Sequence, residues 1–370
     1  MMISISIIIP VYNVEAYVKR CIESVMMQDQ VAAKVECIIV DDCGQDHSMQ
    51  IVYQMLQCYH GPIRFEVIKH DVNRGLSVAR NTGIQKAKGD YVFFMDSDDY
   101  LLPDSISYFL DNLKEYPDAD IVIGNAKNCK TGDKLLHHIN VPRMINDSDI
   151  FFQSMLRHQI YLYAWNKLIR RSVLRDKGIA FIDRVLYEDQ SWSYLLFLNI
   201  SSVLLLPRVT YIYEYNMSSI VNTTFTLSKV EIVIWSYVTN VSTMLKNPPP
   251  VEKFRKNMAV DYLMFMHYFL MNAVDVKSCF RISTKTAKAF RNVRWELIRR
   301  SLSYGRFFLA TFFLILFPPL SYLQKYSLFR HHYSHIEIVI NRLCHLTDFI
   351  HNKVTMFAVG NTNEPIGDSP

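Results

Sequence analysis

The chain has 370 residues, half of them apolar, enough for one large core or two domains, which excludes wholesale disorder. Its formal net charge of +5 is small for this length and comes from mixed acidic and basic residues, which excludes a dedicated nucleic-acid binder. The seven cysteines, at 21, 37, 43, 58, 129, 279 and 344, are odd in number and include no Cys-x-x-Cys pair, so neither a disulfide framework nor a zinc site is expected, and reduced cytosolic thiols are the plain reading.

The opening MMISISIIIP has no basic leader and its apolar run stops at Pro10, which fits a first buried strand rather than a signal peptide and predicts a protein retained in the cytoplasm. Short β-branched runs at Ile5–Ile9, Val35–Val40, Ile63–Ile68, Tyr91–Met95 and Ile121–Ile123 predict strands. The amphipathic stretches Val14–Met27, Gln45–Tyr59, Gly75–Ala87 and Pro103–Glu115 predict the helices between them. This alternation specifies an α/β fold with a mostly parallel sheet flanked by helices, whose function gathers at the carboxyl ends of the strands.

Beyond residue 125 the alternation weakens: Tyr161–Leu174 and Gln190–Asn199 read as helices and Val203–Leu206 as a short strand. The triple proline 248–250 separates two apolar helical stretches, Val230–Leu245 and Met258–Val274. The expected organisation is a catalytic domain over 1–225, a mainly helical region over 226–360 and a disordered tail over 361–370. Between Lys277 and Arg306 lie nine Lys/Arg against a single acid, Glu296, followed by the apolar run Phe307–Leu320. That run is short of the roughly 20 residues needed to span a bilayer. A basic stretch with a shallow apolar wedge, 277–320, suits an anionic membrane surface; the alternative is a core helix with a solvated basic face.

Four groups of residues carry chemistry. Asp41 and Asp42 end the second strand, where a carboxylate can accept from a base N–H or a ribose hydroxyl, or simply cap the next helix. Asp96, Ser97, Asp98 and Asp99 follow the apolar strand Tyr91–Met95; acids so close raise one another's pKa unless a cation such as Mg²⁺ or Mn²⁺ neutralises them. Asn73 and Gly75 shape a turn leading to Arg80, which could face a diphosphate or the loop acids. Glu188–Asp189 opens the helix bearing Trp192, and a carboxylate there can serve as general base or merely complement a helix N-terminus.

In order along residues 3–220, the segments Ser6–Asn13, Cys37–Asp42, Asn73–Gly83, Lys88–Asp99, Trp165–Leu168 and Glu188–Asp189 resemble the family 2 glycosyltransferases with the GT-A fold, typified by enzymes that build bacterial surface polysaccharides. The resemblance implies an inverting transfer from a nucleoside diphospho-sugar, UDP-linked in the first instance, to a hydroxyl of a glycan or lipid-linked glycan. It assigns Pro10, Tyr12, Asn13, Asp41, Asp42, Asn73, Arg80, Asp96 and Ser97 to the donor, and Asp98 with Asp96 to Mn²⁺ or Mg²⁺. Asp189 becomes the base with Glu188 beside it, and Trp165, Asn166 and Lys167 border the acceptor. It also implies a place on the inner face of the plasma membrane.

One departure is Cys43, where the family places glycine; it implies a less strained turn or a shifted loop after Asp42. The segment Tyr211–Ser219 resembles the family's tyrosine-rich strand and following serine-containing loop, which closes over the donor. Two other activities compete: transfer to a polyprenyl phosphate, which needs no hydroxyl deprotonation, and a silent partner in a membrane-bound assembly. A nicotinamide-dependent dehydrogenase would need Gly-x-Gly-x-x-Gly after the first strand, where this chain reads Pro-Val-Tyr-Asn-Val-Glu.

Overall fold

The computed structural model describes residues 3–216, with short breaks at 29–30, 32, 137–138, 148–149, 152–153 and 156–158, together with 227–248 and 284–303. The expected helix Met258–Val274, the apolar wedge Phe307–Leu320, the tail 361–370 and the loop from Met217 onward lie outside the described residues. Two compact units are present, Met1–Val274 and Asp275–Pro370.

In the first unit, strands β1 (Ser4–Val11), β2 (Lys34–Asp41), β3 (Arg64–Lys69) and β4 (Tyr91–Phe94) pair in parallel in the order β3-β2-β1-β4. β1 is buried at seven of its eight positions, so its near-continuous isoleucine run is what a strand covered on both faces requires. Helices α1 (Val18–Met26), α2 (Ser48–Cys58), α3 (Leu76–Lys86) and α4 (Ser105–Glu115) form the crossovers. α3 lies close on β1, because a Cβ added at Gly83 would stand 2.3 Å from Ile8 Cγ2; this contact places Arg80, one turn earlier, under the ends of β1 and β4.

The sheet continues through β8 (Lys167–Arg170), antiparallel to both β4 and β6 (Ile121–Asn128), then β9 (Val203–Tyr213), parallel to β6, and the two-residue β5 (Tyr100–Leu101); β7 (Arg143–Ile145) pairs with β9. The helix expected over Tyr161–Leu174 is therefore corrected. Lys167–Arg170 is a central strand, and only Arg171–Asp176 (α5) is helical. The gap between β4 and β6 takes main-chain partners on both sides, and satisfying those outweighs the local helical pattern. Leu168 and Ile169 fill both faces of the sheet there.

Helix α6 (Glu188–Leu198) packs on β4 through Phe94, Phe181 and Trp192, whose rings meet at 4.4–5.5 Å. Helix α7 (Leu227–Lys246), which the sequence assigns to the C-terminal region, belongs to the first unit and locks the start of α6. Asn240 Nδ2 donates to the Tyr187 carbonyl (3.0 Å), Ser191 Oγ donates to Asn240 Oδ1 (2.7 Å), and Leu186 N donates to Ser236 Oγ (2.9 Å). The second unit is described only through α8 (Thr284–Ser303), whose Glu296 takes Arg299 and Arg300 at 2.8 and 2.7 Å. No described helix is long and apolar enough to cross a membrane.

Candidate functional site

The carboxyl ends of β1, β2 and β4 converge on one edge of the sheet, as the topology requires. After β1, Pro10 is buried within the strand, Tyr12 is 44% exposed, and Asn13 takes a left-handed φ of 50° so that its Oδ1 accepts from Gln45 N at 2.7 Å. Asp41, buried at the end of β2, accepts from Cys43 N at 3.0 Å. Cys43 itself sits at φ 59°. The expectation of a relaxed turn there is corrected: the left-handed geometry suited to glycine is kept, and a residue with a Cβ bears its strain.

Asp42 turns inward. Its Oδ1 accepts from Arg74 N (2.9 Å) and from His70 Nδ1 (2.7 Å), and its Oδ2 accepts from Gly75 N (2.8 Å). With Nδ1 donating, the imidazole Nε2 is left to accept from Thr82 Oγ1 at 2.9 Å. Asp42 and His70 are buried and the other contacts partly so, and through them the carboxylate holds the 71–75 turn. The turn ends at Gly75, φ 87°, which opens α3, while Asn73 remains exposed.

Arg80 joins the two halves of the site. Fully enclosed on α3, it donates from Nη2 to Asp96 Oδ1 (2.7 Å) and from Nη1 to Glu188 Oε1 (2.5 Å), with its guanidinium carbon 5.2 Å from the centre of the Phe181 ring. Its Nε is buried without an acceptor among the described residues. The two carboxylates hold the guanidinium firmly charged against its burial.

In the acidic loop, Ser97 and Asp99 are buried and Asp96 and Asp98 partly so. Burial, then the Asp96 charge, pushes the Asp98 carboxyl up, although Asn216 Nδ2 donates to its Oδ2 at 3.0 Å. Asp99 is raised by burial and by both neighbours, while it accepts from Tyr211 Oη (2.6 Å) and Glu214 N (2.8 Å). Of these three loop carboxylates Asp96 alone pairs with Arg80, which it shares with Glu188. Among the described residues no group of three His, Cys, Asp or Glu forms a protein-only metal cage.

Asp189 follows Glu188 in the first turn of α6 and is partly exposed. Burial, then the Glu188 charge, raises its carboxyl to about 7, against the pull of Arg80 and Lys167. The three residues assigned to the acceptor side sit inside the fold. Trp165 is 3% exposed, and Asn166 and Lys167 are fully buried. Asn166, at φ 57°, is a strut: its Nδ2 donates to the carbonyls of Gly124 and Asn125 at 3.0 and 3.1 Å, and its Oδ1 accepts from Thr210 Oγ1 at 2.9 Å. Lys167 Nζ donates to the Tyr163 carbonyl and lies over the Tyr161 ring; burial lowers its pKa well below the usual lysine range. The spacing gave no sign that β8 would take these residues inside.

Comparison with known proteins decides the family. Residues 6–178 match the sequence profile described as Glycosyl transferase family 2. These residues are a family 2 glycosyltransferase domain. The chain is 29% identical over 271 residues to EpsH of Bacillus subtilis strain 168, covering 71% of this chain and 75% of EpsH. It is 25% identical over 292 residues to the glycosyltransferase GlyG of Streptococcus pneumoniae, covering 75% of this chain and 94% of GlyG. The crystal structure of S. aureus TarS 1–349 with UDP-GlcNAc superposes with a TM-score of 0.63 at 20% identity, over 80% of this chain and 81% of that one, and so shares the GT-A fold. The protein is a glycosyltransferase related to enzymes of surface-polysaccharide synthesis, among them the poly(ribitol-phosphate) beta-N-acetylglucosaminyltransferase TarS, a third of whose length it matches.

Proposed function

We propose that the chain moves a sugar from a nucleoside diphospho-sugar, UDP-linked, to a hydroxyl of a glycan or lipid-linked glycan, with inversion at the anomeric carbon. The observation that carries this is Asp189, a partly exposed carboxylate raised to about 7 beside the Glu188–Arg80–Asp96 chain. A base poised near the working pH suits deprotonation of a hydroxyl, whereas a polyprenyl phosphate needs no base, and a silent assembly partner needs no tuned acid.

Asp189 takes the acceptor proton as the acceptor oxygen bonds to the anomeric carbon. The bond from that carbon to the donor phosphate oxygen breaks, and its electron pair leaves with the nucleoside diphosphate. Asp96 and Asp98 offer hard oxygen ligands whose mutual repulsion a divalent ion relieves, and two carboxylates with substrate phosphates are an ordinary Mg²⁺ or Mn²⁺ shell. Bound there, such an ion would offset the negative charge on the departing diphosphate. Pro10, Tyr12, Asn13, Asp41, Asn73 and Ser97 line the donor side, and Arg80 holds the donor loop and base helix in one arrangement. Residues 1–225 with α7 form the catalytic part, and residues 277–320 meet an anionic membrane on its cytoplasmic face; exposed Trp295 with Lys285 and Lys288 on α8 supports that contact.

The test is nucleoside diphosphate release from a panel of UDP-, GDP- and dTDP-sugars with Mn²⁺, with and without EDTA, read beside metal-dependent nucleotide binding. Release or binding with one donor, lost with EDTA and in Asp98→Ala, is expected. Absence of metal-dependent binding to every nucleotide overturns the reading.

A further inference from the structure

On the base side of the site one aromatic residue stays open. Tyr163 is 45% exposed, while Trp165 behind it is 3% exposed and Tyr211 is fully buried. The Tyr163 and Trp165 rings stack at 5.0 Å and 5°, and Trp165 stacks on Tyr211 at 4.7 Å and 5°. Tyr211 Oη is in turn fixed in the acidic loop, donating to Asp99 and accepting from Asp96 N at 3.1 Å. A continuous ladder of parallel rings therefore runs from the acidic loop to the surface at Tyr163.

The outer rung is held in place. The Tyr163 carbonyl accepts from the fully buried Lys167, and Trp165 occupies one face of the ring. A ring ordered before binding loses little freedom when a ligand settles on it. Asp189 lies near enough that its charge, after burial, helps to raise the Tyr163 phenol, and Lys167, which holds the Tyr163 carbonyl, feels the same carboxylate.

The negative face of an aromatic ring attracts weakly positive C–H groups and repels a phosphate. The flat face of a pyranose, with its axial C–H bonds, matches such a platform; an open-chain polyol phosphate does not. We propose that Tyr163 binds the acceptor, stacking on the apolar face of a pyranose whose neighbouring hydroxyl is thereby delivered to Asp189. This rests on the reading of Asp189 as the base.

The test is saturation-transfer NMR on the full chain with UDP and Mn²⁺ present, using methyl glycosides of glucose, galactose and N-acetylglucosamine, and ribitol 5-phosphate as the contrast. At least one glycoside is expected to receive saturation at its axial protons in the wild type and in Tyr163→Phe. In Tyr163→Ala its affinity should fall about tenfold, the worth of one aromatic stack. Melting temperatures show that the variants are folded. Equal binding in Tyr163→Ala, preference for ribitol 5-phosphate, or no glycoside binding to the wild type overturns the proposal. UDP binding, read separately by calorimetry, distinguishes this from failure of the transferase reading, which predicts metal-dependent UDP affinity whatever happens at Tyr163.

Discussion

The loops after β2 and β4 flank the same strand and both carry adjacent aspartates, yet the protein treats them in opposite ways. At Asp41–Asp42 the protein supplies the donors itself: Cys43 N to the first, and Arg74 N, Gly75 N and His70, which saturate the second. At Asp96–Asp99 the acids crowd one another, burial raises two of them, and one arginine is shared with Glu188. A buried carboxylate given several donors is structure, whereas one left short of positive charge marks a place where a cation or substrate must complete the balance. The same dipeptide thus has two meanings, and the hydrogen-bond partners decide between them.

The largest effect that can break this contrast lies at the base. Asp189→Asn should lower transfer by about 10²- to 10⁴-fold, with donor binding retained. The wild-type rate should climb as pH rises through about 7, where Asp189 loses its proton. Stability carries the opposite sign. The folded pKa lies above the ordinary aspartate value, so the folded state holds the proton more tightly and stability falls as pH rises from the unfolded pKa toward about 7. In Asp189→Asn this part of the decline disappears, which a series of metal-free melts would reveal; an unchanged slope would mean that Asp189 ionises normally.

Next comes Arg80, the single cation in the charge-poor region's bridge. Arg80→Met leaves Asp96 and Glu188 facing each other without it, and breaking a buried pair in this way costs about 3–5 kcal/mol. Arg80→Lys should recover part of that loss, because one ammonium cannot span two carboxylates as the forked guanidinium does. Urea titration measures both, and a loss below about 1 kcal/mol, as for an exposed pair, would remove Arg80 from its linking role. A smaller effect is expected at Asp98, where Mn²⁺ with UDP at a hundredfold excess over Kd stabilises the wild type by about 2.7 kcal/mol. Asp98→Ala should lose that ligand-dependent rise in melting temperature; keeping it would move the metal elsewhere.

Much of this was legible in the sequence because the signals were local. The isoleucine run of β1, the β-α-β alternation and the acids at strand ends follow from burial and spacing within a few residues. Asp96 and Asp98 stand out as crowded charges that call for a cation, and Glu188–Asp189 as acids at a helix start, both from spacing alone. What escaped depends on distant partners. Tyr161–Leu174 carries a helical pattern, but β4 and β6 both present main-chain groups to Lys167–Arg170. That pairing hides Asn166 and Lys167, and Trp165 is covered by four tyrosine rings, from 161, 163, 211 and 213. The partners of Asp42 escaped for the same reason, since one of them, His70, is 28 residues away.

The smallest effect tests the saturated loop itself. In Asp42→Asn the amide keeps one acceptor oxygen and brings an NH₂ against a donor it must face, whether Gly75 N or the pair Arg74 N and His70 Nδ1. Leaving a buried donor without its acceptor costs about 1–3 kcal/mol, so the melting temperature should fall. The turn that loosens opens α3 and carries Asn73, proposed above to line the donor side, while Arg80 is fixed a turn further on by its own two carboxylates. The donor KM should therefore rise several-fold with kcat nearly kept, and His70→Asn should behave alike because it breaks the same chain to Thr82. A collapse of kcat to the level of Asp189→Asn would place Asp42 among the groups that touch the reacting atoms, and the division between a saturated loop and a charge-deficient one would fail at its simpler end.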